Sequence, residues 1–112
     1  MKKFILLYRG PATPAGKMDP GKAKEVMRAW GEWMERVGKN LVDVGQPMEP
    51  CNSVALLDDG SEAEAEQLNG YSVIEAESLD NAKDMVRDHP FLSDKTGKFS
   101  VDVYELLPNP EM

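Results

Sequence analysis

Residues 4 to 8, Phe4-Ile5-Leu6-Leu7-Tyr8, form an unbroken apolar run of five that stops at Arg9-Gly10-Pro11. A run this short, closed by Gly-Pro punctuation, reads as a β-strand. Because successive strand residues point to opposite faces, it presents apolar side chains on both. A strand with one face in water would alternate, so this one needs cover above and below. Any fold open to the chain must therefore place something on each side of the sheet that holds this strand. Lys2 and Lys3 give the run a superficial likeness to a secretory signal, but such a segment needs about 7 to 15 apolar residues. No stretch reaches the roughly 18 of a membrane helix.

The remaining elements follow from periodicity and punctuation. Residues 10 to 21 are rich in Gly and Pro and read as loop, ending at Asp19-Pro20, an N-cap followed by a proline at the first helical position. From Lys22 to Val37 the apolar residues Ala23, Val26, Met27, Trp30, Trp33, Met34 and Val37 recur at steps of three and four, which predicts an amphipathic helix closed by Gly38. The two tryptophans on its stripe read as core. Asn40 to Pro47 and Ser53 to Leu57 read as short strands. Glu62, Glu64 and Glu66 alternate with alanines in a solvated loop or single helical turn. Tyr71 to Ala76 is a strand, Ser78 caps a helix over Leu79 to Asp88, and Phe99 to Leu107 is the last strand. Pro90 disfavours helical dihedrals at His89 and ends the second helix.

Strand, helix, strand, strand, helix, strand is the split βαβ order, an α+β ferredoxin-like βαββαβ domain with an antiparallel sheet and two helices on one face. One such domain accounts for residues 1 to 112. The first strand is apolar at both parities, and the last carries Tyr104 and Leu106 opposite Val101 and Val103. The face away from the helices therefore also needs cover, and a second copy of the chain is the simplest, giving a homodimer with sheets face to face.

The 13 basic and 20 acidic residues give a formal charge of −7, with no basic run interleaved with aromatics. Nucleic acid and anionic membranes are therefore not expected partners. Cys51 is the single cysteine, which excludes an internal disulfide and a thiolate zinc site and suits a reducing, cytoplasmic setting. It reads as a half-buried small residue, since no neighbour in sequence would lower its pKa. No metal or cofactor motif is present.

The stretches MKKFILLYRGPA, AWGEWMERVGKNLVDVGQP, LNGYSVIEAESLDNAKDMVRDHPF and FSVDVYELLP resemble the YCII-related, or DGPF-type, domain family over nearly the whole chain. The resemblance implies a dimeric α+β barrel, a fold shared with muconolactone-isomerase-like enzymes and heme-type monooxygenases. It also implies an acid-base pair of one histidine and one aspartate. In the YciI-like branch the histidine lies on the first helix and the aspartate directly precedes the proline after the second. Here the first helix has no histidine, with Arg28 and Trp30 near its place, and the residue before Pro90 is His89, with Asp88 one position earlier. Asp-Gly-Pro-Phe survives only as Asp59-Gly60, ahead of Gly70-Tyr71.

His89, the only histidine, is the candidate acid-base, because an unperturbed imidazole titrates near pH 6.5. The structural alternative is that it caps the C-terminus of the second helix while Phe91 plugs the core. Asp88 is its neighbour in sequence. Arg9, at the end of the first strand, is placed to hold a small organic anion at a cavity mouth, or else to pair with a surface carboxylate. Arg9, Tyr71 and Tyr104 are the candidate partners for His89 from the strands. Two functions follow: a cofactor-independent small-molecule binder or lyase/isomerase-type enzyme using His89, or a non-catalytic homodimeric accessory or interaction module. Heme-type monooxygenase chemistry ranks below both, since the sequence discloses neither an axial ligand nor a shaped pocket.

Overall fold

The structure, a computed structural model, describes residues 1–11, 20–93 and 95–109. Its elements are β1 (Lys2–Arg9), α1 (Pro20–Val37), a 3-10 turn (Gly38–Asn40), β2 (Leu41–Asp43), β3 (Ala55–Leu56), β4 (Glu62–Ala63), β5 (Leu68–Ala76), α2 (Leu79–Val86), a second 3-10 turn (Pro90–Leu92) and β6 (Ser100–Leu106). Asp19, the expected cap of α1, lies outside the described residues, and the helix begins at Pro20. Ser78 caps α2 as expected, its Oγ accepting the Asn81 N–H at 3.1 Å.

Four strands form one antiparallel sheet in the order β2-β5-β1-β6, with α1 and α2 on the same face. This is the ferredoxin-like α+β fold anticipated from the element order. The register sets the two faces. Phe4 stands opposite Ile74 and Glu105, Leu6 opposite Ser72 and Val103, and Tyr8 opposite Gly70 and Val101. Phe4, Leu6, Tyr8, Ile74 and Ala76 pack with Trp33 of α1 and with Ala82 and Val86 of α2 into the core. Trp33 joins the two helices, its indole N–H donating to the Met85 carbonyl at 2.9 Å.

The opposite face carries Ile5, Leu7, Val73, Tyr71, Tyr104 and Leu106, with Lys3, Arg9, Glu75 and Asp102 among them. Tyr104 is 58% exposed and Leu106 40%, so apolar surface lies open there.

Local departures have physical reasons. Met27 and Leu79, expected on the buried stripes, are 74% and 52% exposed, Met27 in the wall of an open cavity and Leu79 at the first position of α2. The helix α2 stops at Val86 rather than Asp88, with Arg87 and Asp88 in a turn. Glu62–Ala63 pairs with Ala55–Leu56 as a separate two-stranded sheet where a loop or helical turn was expected. The alternation of alanine with glutamate that argued for a solvated segment is also strand periodicity. Cys51 is exposed rather than half-buried. Among the described residues, no helix is long and apolar enough to cross a membrane.

Candidate functional site

His89 lies just past α2, where the chain must leave the helical path before Pro90. Its backbone is extended (φ −62°, ψ 135°), and its N–H donates to the Val86 carbonyl at 2.9 Å, closing the end of α2. The side chain turns inward and is 2% exposed. It does not cap the carbonyls of α2. Instead Nδ1 accepts the Phe91 N–H at 3.0 Å and so caps the following 3-10 turn.

The ring sits in an aromatic enclosure. Its centroid is 4.4 Å from that of Trp33, 4.5 Å edge-on from Trp30 and 4.9 Å from Tyr8. Trp30 thus stands against His89 from the first helix. It is half-buried, so only Trp33 of the two tryptophans fits a purely core role. Loss of hydration in this enclosure, reinforced by the Arg36 guanidinium, pulls the His89 pKa from 6.5 down to about 4. The ring is therefore neutral at neutral pH.

From His89 a buried polar chain crosses the sheet. Nε2 is 3.1 Å from the Tyr8 hydroxyl, which donates to Ser72 Oγ at 2.7 Å, and the Ser72 hydroxyl donates to the Val44 carbonyl at 2.8 Å. Tyr8 and Ser72 reach each other because they lie on neighbouring strands of the helix-facing side, one on β1 and the other on β5. Burial pushes the Tyr8 phenol up to about 12, against the pull of the Ser72 hydrogen bond.

A cavity of about 400 Å³ opens beside this chain, between α1, the Val44–Pro47 segment and the start of β5. Tyr8, Trp30, Tyr71, Phe91 and Met27 contribute to its wall, and among the described residues no charged side chain lines it. A second hollow of about 460 Å³ lies on the other side of His89, between α1 and the turn after α2. Its wall mixes Arg36, Arg87 and Lys95 with Glu25, Glu32 and Asp88.

The sequence candidates are thus divided. His89 is buried at the centre. Asp88 is exposed and borders the charged hollow with His89, but both hydrogen bonds of the His89 ring go elsewhere. Arg9 is on the opposite face of the sheet, 3.4 Å from Asp102 and 3.7 Å from Glu66, and is not in the wall of the apolar cavity. Tyr71 borders that cavity from β5, where its main chain meets Gly45, although its register opposite Leu7 gives it the same open-face parity as Tyr104. Tyr8 and Ser72 were missed. Tyr8 shares the parity of Phe4 and Leu6, which places it on the helix side, and that signal was present in the sequence. Nothing in the sequence marked Ser72. Among the described residues no group of three or more His, Cys, Asp or Glu is arranged to hold a metal ion.

Comparison with known proteins agrees with this architecture. The model of the YCII-related domain matches residues 1–107. Among solved structures, the 5-chloro-2-hydroxyhydroquinone dehydrochlorinase TftG from Burkholderia phenoliruptrix AC1100, in complex with 2,5-dihydroxybenzoquinone, is similar with a TM-score of 0.55. It is 19% identical, over 96% of this chain and 95% of that one. No curated protein matches the chain.

Proposed function

The chain belongs to the YCII-related domain family, and on that premise we propose that it is a single-domain, cofactor-independent protein that binds a small, planar, uncharged organic molecule in the apolar cavity beside Tyr8. One observation carries the reading: a cavity of about 400 Å³ with an aromatic wall and no charged side chain among its described lining, bordered by a buried, directed polar chain. Binding pockets typically span about 300 to 1,000 Å³ and combine apolar walls with a few placed polar groups. Flat aromatic walls suit a flat ring. The similar dehydrochlorinase holds a ring compound, which supports the same class here.

If the bound molecule reacts, the chemistry is of the lyase or isomerase type, with protons handled at Tyr8. His89 then stands behind the phenol as its neutral hydrogen-bond partner rather than acting as an acid-base pair with Asp88. Among the described residues the wall carries no cation to hold an organic anion, and Arg9 stands on the other face of the sheet, beside Asp102.

A titration of ¹⁵N-labelled protein with a panel of small ring compounds tests this. The amides of Gly45, Gly70 and Phe91 and the Trp30 indole should shift together. A panel that moves none of them would sink the proposal.

The open sheet face favours a second, compatible role as a homodimer with sheets packed face to face, because Tyr104 and Leu106 leave apolar surface in water. In the non-catalytic reading this interface is the function. The exposed thiol of Cys51 suits a cytoplasmic setting for either.

A further inference from the structure

A hydrogen-bonded chain anchored on main-chain groups at both ends has only one direction. The Phe91 N–H can only donate, so Nδ1 of His89 carries a lone pair and the neutral ring holds its proton on Nε2. At the other end the Val44 carbonyl can only accept, so the Ser72 proton points to it and Ser72 Oγ must receive the Tyr8 proton. The Tyr8 oxygen in turn receives the His89 Nε2–H. Every proton in the chain is committed, and what remains on the Tyr8 oxygen is one lone pair. Of the five residues in the chain, Tyr8, Val44 and Phe91 line the apolar cavity.

We propose that this fixed polarity makes the Tyr8 end of the cavity select molecules that donate a hydrogen bond: hydroxylated rings and enols, in preference to ethers or ketones of the same skeleton. The inference rests on the ring-binding reading above and goes further by naming the substituent. A donor hydroxyl completes the coordination of the Tyr8 oxygen. An ether or carbonyl oxygen brings a lone pair against a lone pair, and the Tyr8 proton cannot swing to meet it without leaving Ser72 unsatisfied. With no charged side chain among its described lining, the wall selects against a carboxylate independently.

Hydroquinone and 1,4-dimethoxybenzene, titrated calorimetrically into the full chain, test the selection. Hydroquinone should bind about tenfold more tightly, the scale of one satisfied hydrogen bond in a buried site. Tyr8→Phe should bring the two to parity. Equal binding to wild type, or a preference that survives Tyr8→Phe, would overturn the inference while leaving the cavity reading intact. Binding of neither would overturn both. Should Tyr8→Phe not fold, the imidazole tautomer of the unliganded wild type, read by long-range ¹⁵N correlation, decides. The Nε2–H form is expected, and an Nδ1–H form would refute the directed chain.

Discussion

The main-chain N–H of Phe91 lies 3.0 Å from Nδ1 of His89, two residues earlier. A local turn thereby fixes the protonation pattern of a group whose other nitrogen meets a residue 81 positions away in the sequence. Pro90 makes the arrangement available: it ends the helical path, holds His89 extended and begins the 3-10 turn that aims the Phe91 amide back at the ring.

Burial of this ring makes stability fall with acid. His89 binds its proton near pH 4 when folded and near pH 6.5 when unfolded, so between those values the unfolded chain holds more protons. The contribution is intact above about pH 6.5 and is lost as pH falls toward 4, by about 3 kcal/mol in all. Urea titrations at pH 7, 6 and 5, mostly above the carboxylate range, should show the decline. In His89→Asn it should flatten. A wild-type stability constant over that range would contradict the buried neutral ring.

Truncating the middle of the polar chain should strand its ends. Ser72→Ala leaves the Tyr8 hydroxyl and the Val44 carbonyl without their partner and should lower stability by about 1–3 kcal/mol. Tyr8→Phe should lower it by a similar amount. The double variant should cost less than the sum, since the two single changes break one shared bond. Additive losses in chemical denaturation would show that the residues act separately.

How legible this was differs by level. Phe4 to Tyr8, the stripe of α1 and the Ser78 cap are local patterns, and they sufficed for the element order and for the helix-covered face. Local pattern did not suffice for Glu62–Ala63, where one alternation suits both a solvated loop and a strand. At the site, the Asp88-His89-Pro90 cluster was visible because it is contiguous. Tyr8 and Ser72 are 64 positions apart and meet only through the β1–β5 register, which no short motif encodes. For Arg9 the same register chose between two readings: one residue beyond Tyr8, it faces the other side of the sheet and pairs with surface carboxylates instead of bordering the cavity.

Gly45 should tolerate no side chain. Its φ of +79° is left-handed, and an added Cβ would lie 1.7 Å from the Tyr71 carbonyl oxygen. Gly45→Ala must push the Val44–Pro47 segment away from β5, lengthening the Ser72–Val44 bond and distorting the cavity wall. A loss of about 3 kcal/mol or more is expected from clash and strain together. Melting of Gly45→Ala within a degree of wild type would show that the segment is not held where the structure puts it.

The open face gives the last prediction. Ile5, Leu7 and Val73 are half-buried at the middle of the sheet, flanked by the more exposed Tyr104 and Leu106. An antiparallel sheet left in water would alternate polar residues on that face, and this one does not. A second copy related by a twofold axis would cover the patch with its own equivalent, and Lys3, Arg9, Glu75 and Asp102 supply both charge signs for the contact. Light scattering after size exclusion should therefore give twice the mass of the 12.4 kDa chain. Tyr104→Glu places a charge on the exposed part of the patch, far from Tyr8 in the register and on the other face. It should yield a folded monomer that retains the cavity, because desolvating a carboxylate against apolar surface costs several kcal/mol. A wild-type monomer at micromolar concentration would refute the face-to-face dimer, whereas a dimer untouched by Tyr104→Glu would move the interface to another surface.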